Sequence, residues 1–241
     1  MIGRAAFLVL LLVAAPRASA QACPLIEGGD AALAERTTAE RADFLLAETR
    51  RGEEAARTWT AIFALSYLGI AIGQTAALTA TQDPGTRIEL GVGAVSSLIG
   101  VASFFVLPRA VLADLERMEA LAPRARTGDC EALEAAEQLF LRDAASEAFG
   151  TSWLTHVGSV LFNLGIGLFL GLVYERWVAG AISAGVGILT GELQILTQPT
   201  PMVAALARYR AGELGESAPP PLTIAPAWDG TFAGVTIGGA L

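Results

Sequence analysis

The sequence predicts an all-α membrane protein in which four transmembrane helices form two hairpins. Of the 241 residues, 53% are hydrophobic and 17% are charged, whereas a soluble domain has about 25% charged residues. Charge is almost absent from four long segments and concentrated between them, a distribution typical of membrane-spanning helices. The two halves of the chain also resemble each other, which predicts that the hairpins are parallel repeats. Extramembrane amphipathic helices and a small C-terminal β-hairpin complete the predicted fold.

The composition argues against several classes of protein. The net charge is −8, which disfavours a nucleic-acid partner because such a partner needs a basic face. Two cysteines and one histidine are too few for a Cys/His zinc cluster. The chain contains no nucleophile elbow, phosphate-binding glycine loop, HExxH motif or dinucleotide fingerprint. We therefore predict no cofactor and no metal site. All basic residues are arginines, which favours a GC-rich bacterial genome.

The first twenty residues have the pattern of a secretory signal peptide. Arg4 provides the positive start, and Ala5–Ala15 is an apolar core too short to span a bilayer of about 30 Å. Ala18-Ser19-Ala20 is an A-x-A cleavage site, so we expect cleavage after Ala20. Lipoprotein processing at Cys23 is the weaker alternative, because the residues before it lack the usual leucine.

The rest of the chain alternates apolar and charged segments. Residues 31–57 favour a mostly solvated helix that touches the protein only at Phe44-Leu45-Leu46, and residues 123–129 favour a loop. The alternating tail around Asp229-Gly230 favours a β-hairpin with a type I′ turn. In chain order the predicted segments are a signal peptide (1–20), a periplasmic helical segment (21–57), a first repeat (58–122, spans about 59–80 and 88–107), a second periplasmic helical segment (123–150), a second repeat (151–212, spans about 153–173 and 178–196), and a Pro-rich spacer with a β-hairpin tail (213–241).

The evidence for duplication is a set of matches along both halves. Tyr67-Leu68-Gly69-Ile70-Ala71 resembles Asn163-Leu164-Gly165-Ile166-Gly167. In the same way, the segment Val111–Arg117 aligns with Met202–Arg208. The alternative is that any two helices rich in glycine and alanine look alike. If the duplication is real, the repeats are parallel and form a four-helix membrane bundle.

The topology follows from the signal peptide, which places residue 21 onward in the periplasm. The arginines flanking the spans favour the opposite orientation by the positive-inside rule, but they are interspersed with as many acids. In the periplasm Cys23 and Cys130 would share an oxidising compartment, so we predict a disulfide between them. Two free thiols are the alternative. The chain is then predicted to be a multi-pass protein of the bacterial inner membrane, with its N-terminal segment and C-terminal tail in the periplasm.

Glu192 is the most informative polar residue, because a carboxylate inside a span is costly and usually faces the protein interior. It lies near the outer end of the fourth span, and His156 lies near the outer start of the third. Antiparallel packing would bring both to the same depth. Together with Asn163 and Gln194 they are the candidate ligand or proton site. The alternatives are a structural hydrogen bond and a carboxylate that reaches the surface.

These features predict a non-enzymatic accessory or scaffold subunit with no catalytic residues. Its expected partners are the lipid bilayer and a membrane or periplasmic protein. The alternative function is a small transporter or channel that uses Glu192, His156 and Asn163. Parallel repeats favour this alternative, and the scarcity of buried charge in the spans disfavours it.

Overall fold

The structure, a computed structural model, describes residues 23–107, 109–215, 223–228 and 233–238. These residues form mainly helices, and four helical segments are long and apolar enough to cross a membrane. The chain is therefore a mainly helical protein of membrane character. The described elements are α1 (Ala31–Ala34), α2 (Thr38–Ala80), α3 (Pro84–Val106), α4 (Ala110–Arg126), α5 (Cys130–Gly150), α6 (Trp153–Tyr174), α7 (Trp177–Leu196), α8 (Pro201–Arg210), β1 (Thr223–Trp228) and β2 (Ala233–Gly238).

Two hairpins, α2–α3 and α6–α7, contain the apolar spans. Asp83 begins α3 by accepting a hydrogen bond from the backbone N–H of Thr86 at 2.7 Å, and Pro84 occupies the first turn. Between α6 and α7, Glu175 adopts a left-handed backbone with φ of 58°. The N–H of Arg176 then donates to the carbonyl of Leu170 at 3.0 Å, which ends α6.

Packing is close within each hairpin and sparse between the hairpins. The carbonyl of Gly167 lies 2.4 Å from where a Cβ on Gly180 would be, so α6 and α7 meet backbone to backbone. Between the hairpins, the backbones of α3 and α6 come closest. Helix α2 contacts α7 through side chains, as in the hydrogen bond between Tyr67 and Gln194. The expected four-helix bundle is thus two tight hairpins with a loose interface. Leucine, valine and phenylalanine side chains cover the outside of the spans.

The helices outside the spans form a head domain, made of α1, the N-terminal half of α2, α4, α5 and α8. Its core is a continuous cluster of buried apolar side chains from all four longer helices, including Leu45, Met118, Phe140 and Tyr209. The prediction that residues 31–57 form a mostly solvated helix is wrong. That region buries both apolar and charged residues, and the sequence obscured this because its buried face mixes the two kinds.

Three predicted boundaries also differ. Helix α1 stops at Ala34, and α2 begins with a capping box in which Thr37 and Glu40 satisfy each other's backbone N–H groups. Helix α2 then continues without a break through the predicted boundary at residue 57 into the span. Helix α4 runs through Pro123 to Arg126 instead of ending in a loop, because Ala122 and Ala125 are buried in the head-domain core.

Cys23 and Cys130 lie at disulfide distance, with their sulfurs 2.00 Å apart. The bond connects the segment before α1 to the first residue of α5. In the tail, β1 and β2 pair antiparallel, with Thr223 opposite Gly238 and Trp228 opposite Ala233. The predicted signal peptide, the proline spacer and the type I′ turn at Asp229-Gly230 lie outside the described residues.

Candidate functional site

His156 and Glu192 form an outer polar pair between α6 and α7. His156 lies on the first turn of α6 and Glu192 on the last turns of α7, so the antiparallel helices place them at one depth. Nδ1 of His156 is 2.6 Å from Oε2 of Glu192. Their side chains are 33% and 29% exposed. The other carboxylate oxygen of Glu192, Oε1, is buried and has no hydrogen-bond partner among the described residues.

Below this pair, two polar side chains of α6 pack against glycines of α7. Oγ of Ser159 lies 2.2 Å from where a Cβ on Gly191 would be, and Oδ1 of Asn163 lies 1.9 Å from the same point on Gly187. Asn163 donates through Nδ2 to the carbonyl of Ser159 at 2.9 Å. Asn163 is therefore on the same interface as the outer polar pair, about 10 Å deeper at about 1.5 Å per residue. Its hydrogen bond stays within α6.

Gln194 faces away from the outer polar pair. Its Oε1 accepts a hydrogen bond from the hydroxyl of Tyr67 on α2 at 2.8 Å. Near the head domain, Nε1 of Trp59 donates to Oγ1 of Thr197 at 3.4 Å. The structure thus brings His156 and Glu192 together, places Asn163 deeper on the same interface, and directs Gln194 to the other hairpin.

A second connection between hairpins lies at the other end of the spans. Arg176 forms an ion pair with Glu89, and its Nε donates a hydrogen bond to Oε1 of Glu89 at 2.7 Å. The Arg176 guanidinium also covers Gly85, where a Cβ would lie 2.6 Å from it. Arg176 and Glu89 are far apart in the chain, so no local pattern indicated their contact.

The head domain contains a buried ionic network that sequence reasoning missed. Arg41 pairs with Glu137, donates from Nε to the hydroxyl of Tyr209 at 3.0 Å, and donates to the carbonyl of Pro24 at 3.0 Å. Tyr209 donates to the same Glu137 carboxylate. Burial and the nearby Glu137 raise the pKa of the Tyr209 hydroxyl above its ordinary value. One network therefore joins the N-terminal segment, α2, α5 and α8.

A second polar cluster lies deeper in the head domain and contains Asp114, Asp143 and Glu147, all buried. Oε2 of Glu147 accepts from the backbone N–H groups of Met202 and Val203 at 2.8 and 3.1 Å, and so caps α8. Burial raises the pKa of Glu147 to about 7 despite these bonds, and burial beside Asp114 raises the pKa of Asp143 to about 8.

One sequence signal could have located this cluster. On α5 the buried positions Phe140, Asp143, Ala144 and Glu147 follow the i, i+3, i+4, i+7 spacing of one helix face. Two acids on an apolar face are unusual, because a buried carboxylate needs a partner.

The described residues contain no group of three or more His, Cys, Asp or Glu side chains arranged to hold a metal ion. Chemically, the outer polar pair can exchange a proton or stabilise the α6–α7 hairpin, and the buried clusters connect the head-domain helices. The functional inference rests on these contacts. Comparison of the chain with protein-family models, with curated proteins and with solved structures found no match.

Proposed function

We propose that the chain is a non-enzymatic accessory or scaffold protein of the bacterial inner membrane, with the head domain as the part that contacts a protein partner. The observation that carries this proposal is the use of the polar residues in the spans. His156 contacts Glu192, Asn163 bonds within α6, and Tyr67 bonds to Gln194. The first and third of these contacts join two helices, and the second lies within α6, so each of these polar groups is engaged inside the protein.

The connection between the spans and the head domain also supports a scaffold role. Helix α2 is a single helix of 43 residues that begins in the head-domain core and ends with the first span. At about 1.5 Å per residue it is about 65 Å long, enough to cross a bilayer and extend well beyond it. A continuous helix transmits position rigidly, so a partner bound to the head domain would be held at a fixed place above the membrane.

The head domain is proposed to lie in the periplasm. The support is the disulfide distance between Cys23 and Cys130, because such bonds persist in oxidising compartments. All four head-domain helices lie at the same end of the spans as Cys23, so one orientation places them together. The predicted signal peptide at residues 1–20 agrees with this orientation.

The two hairpins are proposed to be parallel repeats, and the burial pattern supports this. The buried residues of α8, Met202, Ala205 and Tyr209, fall at the same spacing as Val111, Asp114 and Met118 of α4. The contacts agree as well, since α2 packs on α4 as α5 packs on α8. Parallel repeats would place the head domain around an axis along the membrane normal.

A site-specific crosslinking experiment tests the scaffold role. A photoreactive amino acid is placed at exposed head-domain positions, Glu116 or Glu134, and at the lipid-facing control Leu189. In membranes of the native host we expect protein adducts of one defined mass at a head-domain position and none at Leu189. The partner identified from the adduct should then co-purify with the wild-type chain. Adducts that are equal at all three positions would contradict a specific partner.

The alternative function, a small transporter or channel, is favoured by one observation. Oε1 of Glu192 is buried without a partner among the described residues, beside the only imidazole of the chain, and such an oxygen is available to a proton or cation. Liposomes containing the purified chain and a pH-sensitive dye test this function. The scaffold role predicts no proton or cation flux above empty liposomes, and a lower melting temperature for His156→Ala. Flux that Glu192→Gln abolishes would establish the transporter instead.

A further inference from the structure

Two carboxyl groups meet inside the head domain without enough donors for both. Asp114 of α4 is 0% exposed and Asp143 of α5 is 1% exposed. Asp114 is paired with Arg142, whose Nε donates to Oδ2 at 2.8 Å. Both oxygens of Asp143 are buried with no hydrogen-bond partner among the described residues. The nearby Asp114 acts on Asp143, but its carboxylate is already paired with Arg142 and offers no donor.

The other buried acids of the described head domain all receive donors. Glu48 pairs with Arg51 and Arg208, Glu137 receives Arg41 and Tyr209, and Glu147 receives two backbone N–H groups of α8. Glu53 pairs with Arg57. Asp143 is therefore the exception, and its position against a second carboxyl group is the reason.

A single proton bound to one of the two carboxyl groups removes the repulsion between them. Two ionised carboxylates close together repel strongly in a low-dielectric interior, so one of the two holds a proton and donates a hydrogen bond to the other. Burial is the main cause that raises the pKa of Asp143 to about 8, and Asp114 adds to it. Arg142, which lies on the same helix, acts in the opposite direction but already pairs with Asp114.

The charged groups that act on the pair lie on α4 and α5. Helix α4 contributes Arg117, whose Nη1 is 3.9 Å from Asp114, and α5 contributes Arg142 and Glu147. Arg109, before α4, acts on Glu147. On α2 and α8, Glu48, Glu53 and Arg208 are engaged in other ion pairs. The net effect on Asp143 favours its neutral form.

We propose that Asp114 and Asp143 form a proton-binding site that makes the head domain sensitive to the pH of its compartment. With the proton bound, Asp143 donates a hydrogen bond to Asp114 and holds α5 against α4. When the proton leaves, two buried carboxylates repel each other and the α4–α5 contact loosens. The site goes beyond the proposed scaffold role, because it would couple the partner-contacting domain to proton concentration.

The sign of the stability effect follows from linkage. In the unfolded chain the Asp143 pKa is near 3.8, and in the folded chain it is about 8. The folded state therefore holds a proton that the unfolded state lacks, so stability falls as pH rises between these values. Each pH unit in this window lowers the folding equilibrium constant by up to roughly tenfold. Above about pH 8 this contribution levels off.

Infrared spectroscopy of the full chain in lipid nanodiscs tests the proposal directly. A protonated carboxyl group has a C=O band that an ionised carboxylate lacks. We expect wild-type protein with ¹³C-labelled aspartate carboxyls to show an isotope-shifted band at pH 7 that disappears as the pH passes about 8. Because aspartate alone is labelled, Glu147 does not contribute to the shifted band. A band that is absent throughout would overturn the proposal without any substitution.

Substitutions test whether the aspartate band and the fall of stability with pH are due to Asp143. Asp143→Asn should abolish the band and reduce the fall of the melting temperature between pH 5 and 9, because the amide can donate to Asp114 at every pH; the part of the fall that remains is due to Glu147. Glu134→Gln, an exposed acid on the same helix, is the matched control and should behave like wild type. Glu147→Gln should leave the aspartate band in place. If Asp143→Asn folds and still shows the aspartate band, the assignment of the band to Asp143 is overturned. If this variant does not fold, the presence or absence of the band in the labelled wild-type protein tests the proposal.

Discussion

At the residue scale, the environment decides what a charged side chain contributes. Arg41 and Glu137 form a pair with side chains only 3% and 4% exposed, whereas Arg50 and Glu119 form one that is 57% and 45% exposed. Both pairs join residues far apart in the chain. An exposed pair contributes little because water screens it, while removing one member of a buried pair leaves a charge without a partner.

This difference gives a prediction for two matched substitutions. Arg41→Ala should lower the free energy of unfolding by about 3–5 kcal/mol, because it leaves Glu137 buried and removes bonds to Tyr209 and Pro24. Arg50→Ala, the control, should change it by less than about 1 kcal/mol. Chemical denaturation of the purified protein in detergent at constant pH measures both. Equal losses for the two variants would mean that the buried network does not hold the head domain.

At the element scale, the α6–α7 hairpin depends on glycines that face the partner helix. A Cβ on Gly180 would lie 2.4 Å from the carbonyl oxygen of Gly167, and backbone atoms cannot move aside as a flexible side chain can. Gly185, on the same helix, has no atom within 4 Å of its Cβ position. Gly69 and Gly73 of α2 likewise have no atom within 4 Å of their Cβ positions, so only some of the glycines in the spans serve packing within the chain.

Gly180→Ala should therefore destabilise the hairpin, by about 1–3 kcal/mol, because α6 and α7 must separate to admit the methyl group. Gly185→Ala should be within about 0.5 kcal/mol of wild type, since its methyl group would face open space. The midpoint of unfolding in mixed micelles with increasing denaturing detergent measures both variants. A Gly185→Ala loss as large as that of Gly180→Ala would refute the observed register of α6 against α7.

At the scale of the whole molecule, the head domain and the spans are one unit. Helix α2 belongs to both, and the bond between Cys23 and Cys130 closes a long loop that includes the entire first hairpin. Cross-linking so distant a pair of residues restricts the unfolded chain strongly. The first hairpin is thus held at both of its ends within the head domain.

Reduction of this disulfide should lower the stability of the protein by up to about 4–5 kcal/mol in the chain-entropy model. Melting curves with and without a reductant measure the loss. The intact mass after alkylation tests the compartment at the same time. We expect no alkylation before reduction, two alkylated cysteines after it, and a mass that lacks the first twenty residues. Full-length protein with two freely alkylated cysteines would instead place the head domain in the cytoplasm.

Local patterns predicted the spans well. Runs of about 20 apolar residues indicate a spanning helix regardless of what they pack against, since only a helix satisfies its backbone in lipid. The starts of α6 and α7 near Trp153 and Trp177 could be read in the same way. The depths of His156 and Glu192 also follow from counting residues along antiparallel helices.

The head domain could not be predicted so directly. Its core joins α2, α4, α5 and α8, which are separated in sequence by the spans, and its buried face includes Arg41, Glu48, Asp143 and Glu147. A criterion that counts only apolar residues classifies such a helix face as solvated. These charged residues are buried because partners from other helices compensate them, and that information is absent from any local window.

By itself the sequence determined which segments are long and apolar enough to cross a membrane, which residues are polar within them, and which cysteines could pair. These are one-dimensional properties, fixed by hydropathy, helix length and composition. Only the tertiary structure decided that Gln194 faces Tyr67, that Arg176 reaches Glu89, and that Asp143 lies against Asp114. Such contacts depend on helix rotation and register, which are set by the packing of many weak interactions at once.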